Sequence, residues 1–188
     1  LLGYFALVLV LFRLCWGFIG TRHAQFKHFL PSYNELKRYL VQHKSLGFSP
    51  SVGHNPLGAL MVVVLLSLVL AQAISGLFIN DDVFTAGPYY GSISDTAESV
   101  MKFIHHNAFD VILIFSGMHI CAVFYYLWVK KHNLIKPMLT GKKSQQHLSV
   151  EESIAHSKSI LAAIIVIAIM VFVYWLVVLN APVIEEYY

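Results

Sequence analysis

The sequence predicts an all-α fold, an integral membrane helical bundle with four transmembrane helices. Three observations carry this. Hydrophobic residues make up 57% of the 188 positions and charged residues only 12%, about half the charged fraction of a typical soluble domain. The apolar residues fall in blocks of roughly 20 or more, the length that crosses a ~30 Å hydrocarbon core as a helix. Basic loops alternate with an acidic one between those blocks. A soluble all-α domain with very buried helices is the excluded alternative, because it would need far more polar surface than the mean hydropathy of +0.66 allows.

The first span covers residues 1–20, "LLGYFALVLVLFRLCWGFIG". It lacks the basic lead-in and small-residue cleavage site of a signal peptide. It reads as a stretch whose first residue already lies inside a helix, with further residues expected upstream of Leu1. Next, Ser32-x-x-Glu35 opens "YNELKRYLVQH", residues 33–43, with Leu36, Tyr39 and Leu40 on one side and Lys37 and Arg38 elsewhere. This suits a helix lying on the membrane surface, and a plain polar loop is the competing reading. The second span, 55–78, starts at "GHNP", where Asn55 suits an N-cap and Pro56 the first helical position. The third, 100–129, is preceded by Asp95-x-x-Glu98, a capping-box-like start. The fourth, 155–179, is preceded by Ser149-x-x-Glu152. No internal repeat or low-complexity tract divides residues 1–188, which form a single domain.

Loop 21–54 holds Arg22, Lys27, Lys37, Arg38 and Lys44 against Glu35, and loop 130–157 holds Lys130, Lys131, Lys136, Lys142 and Lys143. Loop 79–100 holds Asp81, Asp82, Asp95 and Glu98. The positive-inside rule places the two basic loops in the cytoplasm and the acidic loop outside. Trp16, Tyr125, Tyr126 and Trp128 then fall at the inner interfacial belt. The net charge of +3 is too small to imply nucleic acid, and no zinc or phosphate-loop spacing occurs. Cys15 and Cys121 lie in apolar spans and read as small buried hydrophobes, not as a disulfide.

Ionisable groups inside a span are functional candidates by default. His105 and His119 are separated by 14 residues, which leaves them about 40° apart around a helix and about 21 Å apart along it. One face therefore presents an imidazole near each leaflet. His106 lands roughly 140° round from His119 and is expected at the outer interface. Imidazole is a good ligand for haem iron, and bis-histidine ligation leaves no open position, which suits electron transfer. The separation rules out one shared metal ion. Hydrogen-bonded structural histidines are the bland alternative.

Arg13, about seven positions from the inner end of its span, suits a charge-assisted contact to a haem propionate, and snorkelling to headgroups is the alternative. His54 suits a propionate or quinone contact, or a plain interfacial position. Gly3, Gly17, Gly20, Ser116 and Gly117 would let a backbone or a porphyrin plane approach closely, as would ordinary helix packing.

The stretches "GYFALVLVLFRLCWGFIGTRHAQFKHF", "GHNPLGALM", "IHH…MHICAVF" and "MLTGKK" resemble the bacterial cytochrome b561 family, whose relatives include the b-type cytochrome subunits of nickel–iron hydrogenases. The resemblance covers about residues 1–143 and excludes the last span. It implies a bundle in the bacterial inner membrane that holds two b-type haems, with His105 and His119 as the ligands of the family's fourth helix. By the same resemblance the first span here is the family's second, its first helix is missing, and the two partner ligands lie upstream of Leu1. The implied role is an electron-transfer subunit of a quinone-linked oxidoreductase. It would pass electrons between a periplasmic partner (a c-type cytochrome or a hydrogenase-like redox subunit) and the quinone pool. A haem-poor or haem-free membrane anchor is the rival reading. A transporter with proton-relay histidines is a third, disfavoured because inverted repeats are absent.

Overall fold

A computed structural model describes residues 1–42, 56–80, 85–131, 133–140 and 158–182. The first helix, α1, runs Leu2–Ile19 and is followed by a 3-10 turn at Arg22–Ala24 and one helical turn, α2, at Phe26–Phe29. Then come α3 (Tyr33–Gln42), α4 (Pro56–Ser75), α5 (Asp95–Trp128), α6 (Ile135–Thr140) and α7 (Ser159–Tyr174), whose end continues as a π-helical stretch, Trp175–Leu179. Among the described residues there is no strand, only one antiparallel bridge between Asn80 and Ala86. Four helices are each long and apolar enough to cross a membrane: α1, α4, α5 and α7 with its continuation.

Local chemistry explains the helix starts. The Ser32–Glu35 box closes reciprocally: the Ser32 amide donates to Glu35 Oε2 at 2.7 Å, and the Glu35 amide donates to Ser32 Oγ at 3.3 Å. The Ser32 amide and hydroxyl, both donating to Glu35 Oε2, hold the Glu35 carboxyl below the usual glutamate range, with the Ser32 backbone contribution the largest. At α5 the cap is Ser94, whose side chain accepts from the Ala97 amide, so Asp95 and Glu98 become first-turn acids favoured by the helix dipole. Pro56 does open α4, while Asn55, Ser149 and Glu152 lie outside the described residues. The last span starts four residues later than the sequence suggests, after Lys158 in a left-handed conformation with φ of 50°. Lys158 Nζ donates to the Ile19 and Gly20 carbonyls at 3.2 and 3.0 Å. A cation there satisfies the orphan carbonyls at the negative end of α1, and ties α7 to it.

The spans pack in the order α7, α1, α4, α5, with α4 and α5 sharing the most extensive contact. The small core joins Leu7, Ala73, Leu77, Ile169 and Val173. Outward residues stay apolar: Leu113 and Ile114 are 56% and 60% exposed. In water that pattern would be an aggregation liability, whereas hydrocarbon solvates it without cost. At one end the segment after α4 folds over the bundle, and the Tyr89 hydroxyl donates to the Leu176 carbonyl at 2.8 Å. At the other end, the Tyr39 hydroxyl of α3 meets that of Tyr126 on α5 at 3.3 Å.

Candidate functional site

Along α4 and the residue after it, Val62, Leu65, Val69, Gln72 and Gly76 recur at spacings of three and four, so they share one face. That face lines two cavities. The larger, about 550 Å³, is bounded by Tyr4 of α1, by Val69 and Gln72 of α4, by Gly76 just after it, by Gly87, and by His105 of α5. The smaller, about 250 Å³, is bounded by Val10 of α1, by Val62, Leu65 and Val69 of α4, and by His119 of α5. Val69 belongs to both, so the cavities are two stations of one groove between α1, α4 and α5. The sequence spacing put the two imidazoles on a common face, and that face is turned towards α4.

His105 is half-buried and held at both nitrogens. Its Nδ1 lies 3.0 Å from the Gln72 carbonyl and 3.2 Å from Ser75 Oγ. The Ser75 hydroxyl donates to the Ala71 carbonyl at 2.7 Å, so towards His105 it acts as acceptor. The network therefore assigns the imidazole proton to Nδ1 and leaves the Nε2 lone pair on the cavity side. Nε2 accepts from Gln72 Nε2 at 3.0 Å. A ring donating Nδ1–H to a backbone carbonyl is the arrangement that orients a metal-ligating histidine. Gly76 permits it: a Cβ at that position would stand 3.0 Å from His105 Cε1.

Two features of the donor set bear on a haem iron. Gln72 Oε1 is buried with no hydrogen-bond partner, so the amide facing Nε2 is only half satisfied and loses one hydrogen bond if it swings aside for a metal. His119 makes no hydrogen bond among the described residues, although a structural histidine in an apolar wall would need one. Both findings fit nitrogen ligands presented to a large apolar cofactor. Each cavity contributes one histidine, and no group of three or more metal-binding side chains occurs among the described residues.

The other sequence candidates stand elsewhere. Arg13 lines neither cavity. Its Nη1 donates to the Ala24 carbonyl at 3.0 Å, and its guanidinium lies 5.8 and 5.7 Å from the ring centres of Phe26 and Phe29. It pins the chain leaving α1 back against that helix. His54 lies outside the described residues. Of the small residues, Gly3 joins the wall of the larger cavity, Gly17 receives the Phe26 ring, and Gly117 faces open space. Sequence reasoning missed Gln72 and Ser75, whose signal was available as polar groups inside an apolar span.

A sequence model of one family, described as prokaryotic cytochrome b561, matches residues 1–141. Comparison with curated proteins and with solved structures gave no match.

Proposed function

The chain belongs to the prokaryotic cytochrome b561 family, a family of transmembrane b-type cytochromes acting in electron transfer, and from that premise we propose that it carries electrons across the membrane on two haems, one held by His105 and one by His119. The observation that supports this best is the groove. It offers two cavities, each with one imidazole, about 21 Å apart along a single helix and joined through Val69.

Haem b, when bound, would supply an iron that changes oxidation state, held by imidazole nitrogens. The chain supplies the rest. His105 offers Nε2 while the Gln72 carbonyl and Ser75 Oγ fix its ring through Nδ1. The apolar walls at Val10, Leu65 and Val69 exclude water, which lowers the reorganisation that accompanies a change of charge. The second imidazole for each cavity comes from outside the described residues, as the resemblance implies. The acidic loop 79–100 faces the periplasm of a bacterial inner-membrane protein and receives a redox partner there, either a c-type cytochrome or a hydrogenase-like subunit. Quinone reacts beside one of the two cavities.

The test is a dithionite-reduced minus oxidised spectrum of the protein purified from its native membrane, with haem counted per chain as the pyridine haemochrome. Two low-spin b haems are expected in the wild type, and one in His119→Ala. Two haems per chain in that variant would overturn the assignment. None in the wild type would favour the haem-free anchor.

A further inference from the structure

The side of α5 turned away from the groove carries three polar residues among exposed apolar ones such as Phe103 and Leu113. His106, Asn107 and Asp110 are all exposed on it. Asp110 lies about 140° round the helix from His105 and about 180° from His119, and at a height between the two. It is therefore well within the span and on the opposite face from the candidate site. Asp110 makes no hydrogen bond or ion pair among the described residues. Carboxyl groups at that depth are expensive in hydrocarbon and almost always face protein or a water-filled cavity. Asn107 spends its amide on the Phe103 carbonyl at 2.7 Å, which leaves its side-chain oxygen free to accept.

The same stripe is unusually open towards the cytoplasmic half. A Cβ at Gly117 would meet nothing within 4 Å, and Cys121, one turn on, is exposed. A small residue every fourth position lets two helix backbones approach closely in a membrane. His106, Asp110, Gly117 and Cys121 fall within about 60° of arc, so polar and small positions share one seam with the apolar Phe103 and Phe124, and Leu113 lies at its edge.

We propose that this seam is the interface of a homodimer in which α5 of one copy packs against α5 of a second. His106 of each copy would hydrogen-bond Asp110 of the other, and the helices would come closest at Gly117 and Cys121. What selects a second copy is self-complementarity. A twofold interface makes every contact twice, so one face must carry both halves of each pair. This face does: a ring N–H donor and a carboxyl acceptor one turn apart, about 6 Å in height. Two copies inserted with the same topology run their α5 helices parallel about an axis along the membrane normal. A donor and acceptor one turn apart then pair across the seam on both sides of the axis. The haem groove stays clear, because it lies on the far side of α5.

Cys121 makes the test direct. In native membranes carrying Cys15→Ser, which removes the other exposed thiol, copper–phenanthroline oxidation is expected to yield a covalent dimer through Cys121. Cys121→Ala should abolish it. Gly117→Leu should reduce it more than tenfold, and Asp110→Leu likewise. Gly117→Leu is the decisive variant, because among the described residues nothing stands within 4 Å of a Cβ at that position. Light scattering of the detergent-solubilised variants should show the shift from dimer to monomer. The proposal is overturned by a wild type that stays monomeric and uncrosslinked, by a dimer indifferent to Gly117→Leu, or by Cys121 crosslinking to a different subunit.

Discussion

Substituting Gly76 tests whether the imidazole of His105 works as a ligand. A Cβ at position 76 would stand 3.0 Å from His105 Cε1 and 3.3 Å from its Nδ1, whereas non-bonded carbons prefer about 3.5–4.0 Å. Alanine requires the ring to give by about 0.5 Å, which the groove can absorb in part. Valine adds two further carbons on the same side and must displace the ring from the Gln72 carbonyl. Overpacking of this kind costs about 1–3 kcal/mol, equivalent to roughly 5- to 150-fold in affinity for whatever His105 ligates. The assay is haem per chain with redox titration of each absorbance component, and circular dichroism as the check on folding. Gly76→Val should lose most of one haem component and leave the other intact. Gly117→Val, in open space, should lose neither. Full occupancy of both components with unchanged midpoint potentials in Gly76→Val would refute the reasoning, because a ligand ring cannot be pushed off its support and keep its metal geometry.

Three further outcomes follow from contacts outside the groove. Tyr89→Phe removes the donor to the Leu176 carbonyl, at about 1–3 kcal/mol for a polar group left unpaired; thermal unfolding in detergent should come several degrees earlier with haem content unchanged. Arg13→Gln removes a charged donor from the Ala24 carbonyl and a cation from two rings, together about 2–3 kcal/mol. Limited proteolysis should then cut more readily in residues 21–30 while haem is retained, and loss of haem would sink this account of Arg13. The Glu35 carboxyl is lowered in the folded chain, so the stability of its cap is present above the ordinary glutamate value and lost as pH falls through the lowered one. The Ser32 amide resonance followed against pH should titrate with a midpoint below that ordinary value, and a midpoint at or above it would contradict the box.

The physical split between sequence and tertiary structure follows the range of the interactions involved. Helix existence and the spacing of His105 from His119 depend on local terms. Twenty apolar residues must bury their backbone polar groups in a helix, and a fixed rise and turn per residue then put the two imidazoles on one face. Both were legible before any coordinates, as were the Ser32–Glu35 box and Pro56 at the head of α4. Caps were read to within a few residues, because Ser94 and Asp95, one position apart, compete on nearly equal terms for the start of α5.

Which neighbour each face meets was not local. Nothing in the sequence said that Gln72 and Ser75 of α4, with Gly76 just after it, would meet His105, although polar residues in a span advertised some role. Arg13 had two plausible partners by charge alone, and the chain leaving α1 turned back to offer it a third, the Ala24 carbonyl between two phenyl rings. Asp110 is the clearest instance. Its place opposite the two histidines followed from spacing along one helix, but only the packing of α5 on α4 decided that this face lies outside the bundle, where a carboxyl is expensive in hydrocarbon.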